Sequence, residues 1–358
     1  MSTIIKSVIT GTGSFVPQNI IPNKAFSEHR FYEKNGEPIL RDNDEIIEKF
    51  KNITEIEERR YANTEHNASD LGYFAGKDAI ENSGIDPESL DYIIVAHNFG
   101  DIAPGSTRAD VLPALASRIK HKLGIKNPDC VAYDLPFGCP GWLQGVIQAD
   151  YFIRSGDAKR ILVIGTETLS RVTDPHDRDS MIYSDGAGAC ILEGKENCAE
   201  GILAHKTQTH TAEEAYYLYS GKSSNPDLIS DEKFIKMDGR KIYEYALKNV
   251  PLVIQQTLEK SGTDIHDVKK VLVHQANGKM DEAILKRLFK LYGIKEAPIE
   301  VMPMTIAEFG NSSVATVPTL LDMILKNKMK DHQINKGDRL VFASVGAGMN
   351  INAVVYQF

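Results

Sequence analysis

The chain has 358 residues, of which 42% are hydrophobic and 25% charged, with a net charge of −8. It has room for one large domain or two ordinary ones and enough apolar material for a sizeable core, and the acidic balance argues against a general nucleic-acid binder. Four cysteines, Cys130, Cys139, Cys190 and Cys198, none of them paired as CxxC, predict reduced thiols rather than a disulfide framework.

The opening stretch MSTIIKSVITGTGSF has too short an apolar run and too many polar residues for a signal peptide. No stretch approaches the roughly 18 apolar residues of a membrane span, so a cytoplasmic chain with no membrane partner is expected. The β-branched run SVITGTG is followed by a heavily charged region, 33–60, which predicts a surface loop and a helix. Further on, SDLGYFAGKDAIENSG predicts a helix, LDYIIVAHN a strand, GWLQGVIQADYFIRSG a helix and RILVIGTE a strand. This alternation predicts an α/β fold with strands covered on both faces, and the near-continuously apolar runs IIVA, ILVI, VLVH and LVFASVG predict its central strands.

Two segments repeat in order. AIENSGIDPESLDYIIVAHN matches TLEKSGTDIHDVKKVLVHQA, superposing Gly84 on Gly262 and Asp86 on Asp264, and DGAGACILE resembles VGAGMNINAV. A duplicated architecture follows, with halves 1–200 and 201–358 that pack as one body because no Pro- or Gly-rich linker separates them.

Chemistry concentrates at DLPFGCPGWLQG. Gly138 permits an unusual backbone angle, Pro140 suits the first helical position, and Trp142, Leu143, Val146, Ile147 and Phe152 predict a buried helix. Cys139 then sits at a helix N-terminus, where unpaired N–H groups and the helix dipole are expected to lower its pKa. The other three cysteines lack such a setting and read as packed residues. His274 in VLVHQAN follows a buried strand and has Asn277 close by. Asn311 follows Gly310 in a turn leading to a helix, and Gly346-Ala347-Gly348 ends a strand with bare backbone N–H groups suited to an oxyanion hole.

Cys139 in GCPGW, His274 in HQAN, Asn311 in GNSSVATVP and the terminal VGAGM, in that order and spread over both halves, closely resemble the β-ketoacyl-ACP synthase III family of the thiolase superfamily. ITGTGSFVP, EIEERRYA and MDGRKIYEYA look like stretches of the same family, so the resemblance covers nearly the whole chain. It implies a thiolase-like duplicated α-β-α-β-α layered fold and an acyltransferase. Cys139 would be acylated by a thioester, with the N–H groups of Cys139 and Ala347 as the oxyanion hole. His274 and Asn311 would support decarboxylative condensation with a malonyl-type ACP thioester. It also implies a homodimer, an acyl carrier protein as partner, and acyl-ACP or acyl-CoA substrates without metal or redox cofactor.

Three departures from the family pattern bear on substrate. Lys49 and Ile53 stand where a tryptophan and an arginine usually grip the CoA adenine, which favours a carrier-borne acyl group. Leu112 stands where a phenylalanine often closes the acyl pocket of the partner subunit, which leaves room for a longer chain. Lys279, with Lys286 and Lys290, forms a helix face able to meet an acidic carrier near Asn277. Other motifs fail: Gly11 and Gly13 lack the third glycine of a dinucleotide fingerprint, DPHDRD lacks the glycine and glutamate of a calcium loop, and His205 and His210 read as surface residues without zinc partners. Two rival readings remain at this point. One is a specialised-metabolism ketosynthase that joins two acyl chains or passes an acyl group to another nucleophile. The other, more distant, is a papain-like Cys-His-Asn hydrolase, whose spacing of about 130 to 150 residues from cysteine to histidine the chain shares but whose CGSCW-type signature it lacks.

Overall fold

The computed structural model describes residues 5–358; the first four residues of the stretch read for a signal peptide lie outside them. The chain runs β1 (Ile5–Phe15), β2 (Asn19–Pro22), α1 (Asn43–Thr54), β3 (Glu58–Tyr61), α2 (Ala68–Ser83), β4 (Tyr92–His97), β5 (Asp101–Ile102), β6 (Ala109–Asp110) and α3 (Leu115–Lys122). Next come β7 (Val131–Pro136), α4 (Gly141–Ser155), β8 (Arg160–Thr168), β9 (Asp185–Glu196), β10 (Gly201–Thr209), β11 (Leu218–Gly221), β12 (Phe234–Met237) and α5 (Gly239–Ser261). It closes with β13 (Val268–Val273), α6 (Gly278–Leu291), α7 (Ile306–Phe309), α8 (Thr316–Leu325), β14 (Arg339–Gly346) and β15 (Asn350–Gln357).

Among the described residues the long strands form a five-stranded sheet, β1-β9-β8-β4-β7, and a four-stranded sheet, β10-β15-β14-β13. In the first, β4 runs parallel to β7 and β8 while β9 runs antiparallel to β8 and β1. In the second, β13 is parallel to β14, and β15 is antiparallel to β14 and β10. Helices α2 and α3 cover the outer face of the first sheet, where Leu71 and Ile119 meet Ile93, Val95 and Ile164. Helices α5 and α6 cover the outer face of the second, where Ile254 and Leu288 meet Val271 and Val341. Between the sheets lie α4 and α8, whose Trp142, Val146 and Leu320 touch Ile94 and Val163 on one side and Leu272 and Phe342 on the other. The result is the α-β-α-β-α stack that the resemblance implied. Ile93 and Ile94 face opposite layers, which is why the run is apolar at every position.

Of the two repeated sequences the first is a repeated structure; the second is not, because DGAGACILE lies within the single strand β9 whereas VGAGMNINAV spans the end of β14, a turn with Gly348 at φ 72° and the start of β15. α2 and α5 each end on a left-handed glycine, Gly84 (φ 70°) and Gly262 (φ 65°). Each is followed by a short 3-10 turn whose aspartate, Asp86 or Asp264, accepts the backbone N–H two residues on, and then by the buried strand β4 or β13. The polar residues of ITGTGS also have a structural use: Thr12 and Ser14 donate to the fully buried carboxylate of Asp322, at 2.8 and 2.6 Å, and so anchor α8 to β1.

Three expectations change. The region 33–60 is not surface throughout: Ile56 and Arg59 are fully buried, and the Arg59 guanidinium donates to the carbonyls of Ile21 and Met181 and to Asn23. Those acceptors are what permit a buried charge. His205 is buried rather than on the surface, edge-on to Tyr151 and 3.7 Å from Asp150, because β10 packs against both α4 and α5. The VLV of the run VLVH is the end of β13, which closes its ladder rather than lying at its centre; its flank is tied to the segment before α7 by Lys270, which donates to the Glu300 carbonyl. The acids of DPHDRD serve the fold: Asp174 and Asp177 receive the buried Lys236 ammonium at 2.6 and 2.9 Å, which joins their loop to β12.

Candidate active site

Four chain segments meet where the two sheets approach each other. Cys139 lies in the turn between β7 and α4, and Pro140 occupies the N-cap, one position earlier than the sequence suggested. His274 is the first residue after β13, held by its N–H on the Ala343 carbonyl at 2.8 Å. Asn311 follows Gly310 and is clamped on both sides of its backbone: its N–H donates to Ile182 and its carbonyl accepts from Ser184, each at 2.9 Å. The fourth segment is the turn after β14.

Two glycines let the first and last of these segments touch. A Cβ on Gly346 would stand 2.5 Å from the Cys139 nitrogen, and one on Gly138, whose φ is 72°, would stand 2.9 Å from the Ala347 nitrogen. Only bare backbone fits there. The contact sets the Cys139 and Ala347 backbones side by side, and the N–H groups of both favour the Cys139 thiolate.

A cavity of ≈ 1160 Å³ descends to this point, and Cys139, His274 and Asn311 all line it. Much of its wall is apolar and comes from the region expected to lie on the surface: Ile39, Ile46, Phe50 and Ile53 face it, together with Met237 and Ile242 from the far side. Lys49 also lines it, so both residues at the expected CoA-clamp positions are at the cavity.

The electrostatics correct one expectation. Burial pushes the Cys139 thiol up to about 11, with the Glu167 carboxylate adding to the rise, whereas the Ser313 hydroxyl and the N–H groups of Cys139 and Ala347 pull the other way. The donors at the helix start are present, but taking the thiolate out of water outweighs them. Burial likewise lowers His274 to about 4, so its ring is neutral at neutral pH. Its Nδ1 lies 2.8 Å from the Thr316 hydroxyl, and the Asn311 Oδ1 accepts the Ser313 N–H at 2.7 Å.

The remaining candidates divide. Asn277 lines the cavity and also caps α6, its side chain accepting the Met280 N–H at 3.1 Å. Lys279 lies outside the lining and pairs with Glu55 at 2.8 Å, while Lys286 pairs with Glu282. Leu112 is 87% exposed and does not line the cavity of its own chain. The site also contains groups that sequence reasoning missed: Asn98, Glu167, Ser313 and Thr316. Ser313 and Thr316 stood inside the quoted GNSSVATVP, and Glu167 was visible as a charge ending the apolar run ILVIGTE.

A cysteine with two backbone donors, a neutral histidine and an asparagine thus meet at one cavity in an α-β-α-β-α stack. Residues 133–211 match the model of 3-oxoacyl-[acyl-carrier-protein] synthase III, and residues 258–358 match the model of that family's C-terminal part. A β-ketoacyl-[acyl-carrier-protein] synthase III of Xanthomonas campestris pv. campestris is 31% identical over 100% of both chains. The crystal structure of 3-oxoacyl-[acyl-carrier-protein] synthase III from Aquifex aeolicus superposes with a TM-score of 0.78 at 27% identity, covering 98% of this chain and 100% of that one. Cerulenin-bound OleA of Xanthomonas campestris shares the fold, with a TM-score of 0.79 at 17% identity, covering 99% of this chain and 98% of that one. The chain belongs to the 3-oxoacyl-[acyl-carrier-protein] synthase III family. Membership removes the papain-like reading.

Proposed function

We propose that the chain is an acyltransferase of the β-ketoacyl-ACP synthase III type, in which Cys139 accepts an acyl group from a thioester and passes it to a malonyl-type ACP thioester with loss of carbon dioxide. The convergence of Cys139, His274 and Asn311 on one cavity carries this reading. In the first step the sulfur attacks the thioester carbonyl while the N–H groups of Cys139 and Ala347 hold the oxyanion. In the second, His274 and Asn311 donate hydrogen bonds to the carbonyl oxygen of the malonyl-type thioester and stabilise the enolate left as carbon dioxide departs. Asn311 suits this role because its Oδ1 is occupied by the Ser313 N–H, which leaves the Nδ2 donor for substrate. A neutral imidazole suits it too, as a donor that brings no net charge. The enolate carbon then attacks the acyl carbonyl and frees the thiol. Neither step draws on a metal or a redox cofactor.

For the donor we take a carrier-borne acyl group of medium length. Lys49 and Ile53 offer no adenine clamp, and the wall built by Ile46, Phe50 and Ile53 is apolar. A homodimer is the assembly we propose: among the described residues β7 has β4 as its only ladder partner, which leaves its other edge open to a second copy, and Leu112 is exposed on its own chain. No described helix is long and apolar enough to cross a membrane, in keeping with a cytoplasmic enzyme.

Intact-mass spectrometry after incubation with a panel of acyl-ACP and acyl-CoA donors tests the reading. One acyl adduct on the wild type and none on Cys139→Ala is expected, followed by loss of the adduct and release of carbon dioxide on adding malonyl-ACP. An adduct on Cys139→Ala would end the mechanism. Faster loading of acetyl than of medium-chain groups would end the chain-length part and point to fatty-acid initiation over a specialised pathway.

A further inference from the structure

The turn that carries Ala347 has a strained backbone. Gly348 has φ 72° and Met349 φ 47°, so two consecutive residues lie in the left-handed region, and the second of them bears a side chain. Such a residue stays there only when its surroundings hold it. Met349 is 1% exposed, and its carbonyl accepts from two sides: the Tyr245 hydroxyl of α5 at 3.0 Å and the N–H of His210, just past β10, at 3.2 Å. That pins the far end of the turn to α5 and β10.

The end at Ala347 is held by Asn350, the first residue of β15, which is 9% exposed. Its Nδ2 donates to the Ala347 carbonyl at 2.8 Å and reaches the Phe137 carbonyl at 3.5 Å, a longer and weaker contact. Phe137 stands two residues before Cys139, so one amide touches both of the segments that meet at the sulfur. Hydrogen-bond counting fixes its orientation. Both carbonyls can only accept, so the atom facing them is the nitrogen, and Oδ1 is left to accept the hydroxyl of Thr209, its cross-strand partner, at 2.6 Å. Asn350 and Thr209 stand behind a cavity wall formed here by Val345, Gly346 and Met349.

We propose that Asn350 is a positioning residue for acyl transfer: its amide, oriented by Thr209, ties the Ala347 turn to the Cys139 turn and so sets the separation of the two backbone N–H groups that receive the oxyanion. The assignment rests on the acyltransferase reading above. In the step it serves, the bond from Cys139 Sγ to the acyl carbon forms and the bond from that carbon to the pantetheine sulfur breaks. The proton released by Cys139 ends on the departing pantetheine thiol. Two donors stabilise the intermediate only while both are held where its oxygen will stand, and a shift of about 1 Å can cost about a hundredfold in rate.

The experiment compares the two half-reactions in Asn350→Asp, which keeps the shape and an oxygen for Thr209 but has no hydrogen for the two carbonyls. Acylation of Cys139 by an acyl-ACP should slow by about tenfold or more. Carbon dioxide release from enzyme acylated to completion beforehand should stay unchanged, because it draws on His274 and Asn311. Should the buried acid prevent folding, Asn350→Ala removes the donor without adding a charge. Thr209→Val should slow acylation about threefold and Thr209→Ser, which restores the hydroxyl, should return it to the wild-type rate. Hydrogen exchange across residues 345–351 should be faster in either Asn350 variant. Wild-type acylation in a folded Asn350 variant, or equal slowing of both half-reactions, overturns the proposal; Thr209→Ser as slow as Thr209→Val overturns the part given to Thr209. An enzyme that no thioester acylates defeats the acyltransferase reading instead, and unchanged hydrogen exchange then overturns the tie between the turns on its own.

Discussion

The Nδ1 of His274 lies 2.8 Å from the hydroxyl of Thr316, and that hydroxyl lies 3.0 Å from the Ser313 carbonyl. A hydroxyl has one hydrogen to give. When the histidine donates through Nε2 to a substrate oxygen, Nδ1 is bare and takes the Thr316 hydrogen that otherwise goes to the Ser313 carbonyl; the threonine thus supports the tautomer that the proposed decarboxylation requires. Thr316→Val, which keeps the shape and removes the hydroxyl, should slow carbon dioxide release about tenfold, the cost of one lost hydrogen bond in a dry site. Acylation of Cys139 should be untouched. Equal slowing of both half-reactions would contradict this division.

His274 should show no inflection near its ordinary value of 6.5. Burial lowers it to about 4, so it stays neutral, and a competent donor, down to about pH 5. The stability consequence has a definite sign: between about 4 and 6.5 the unfolded chain binds a proton that the folded chain does not, so folding weakens as pH falls through that window. Carbon dioxide release from pre-acylated enzyme, measured from pH 5 to pH 8, checks the first statement. A midpoint near 6.5 in that profile would refute it.

Glu167 has the opposite sign. Burial pushes its carboxyl up to about 8, so between about 4.5 and 8 the folded state holds a proton that the unfolded state releases, and stability declines as pH rises across that range. Glu167→Gln removes this contribution. Its melting temperature relative to the wild type should therefore climb from pH 5 to pH 9. A difference independent of pH would mean that the carboxyl does not titrate in that window.

Gly346→Ala should damage the proposed oxyanion hole more than the fold. The new methyl would meet the Cys139 nitrogen and Cβ at 2.5 and 2.8 Å, and the two turns that present the N–H donors must then separate. Loss of one such donor costs about a hundredfold or more in rate. Acylation measured by mass spectrometry should fall by at least that factor while circular dichroism at 25 °C stays native. Acylation at the wild-type rate would show that this approach is not needed.

The Lys279 face calls for a charge swap. Because Lys279 pairs with Glu55, a single Lys279→Glu reversal sets two carboxylates together, and any rise in the Michaelis constant for acyl-ACP would mix repulsion with lost docking. Lys279→Glu combined with Glu55→Lys restores the pair. If Lys279 itself meets the carrier, the double variant keeps the raised Michaelis constant; if the pair only orders the site's rim, the double variant returns to wild type.

Much of this molecule is written in local pattern. IIVA is apolar at every position, and LVFASVG at all but Ser344, because both faces of their strands are covered, and the repeat of Gly84 and Asp86 at Gly262 and Asp264 follows from one local rule, a left-handed helix stop and an aspartate-capped turn, used twice. Cys139, His274, Asn311 and the Gly346 turn were legible because each sits beside a glycine, proline or strand end with its own signature. Which charged stretch faces inward was not legible: 33–60 looks polar throughout, yet Ile46, Phe50 and Ile53 turn to the cavity and Arg59 is sheltered by carbonyls from elsewhere in the chain.

The pKa of Cys139 marks the same boundary. Its place at a helix start and its N–H donors are local, and the sequence by itself determined them. Desolvation depends on what the other half of the chain packs around the sulfur, and it reversed the expected direction. So too with the link from Glu167 through Asn98 to Ser313: three unremarkable residues, two of them 215 positions apart, become a hydrogen-bonded unit only when β4, β8 and the turn before α8 converge. Sequence determines propensity and pattern, which act over a few residues; tertiary structure alone decides burial and partner, because both depend on atoms that the chain brings together from far apart.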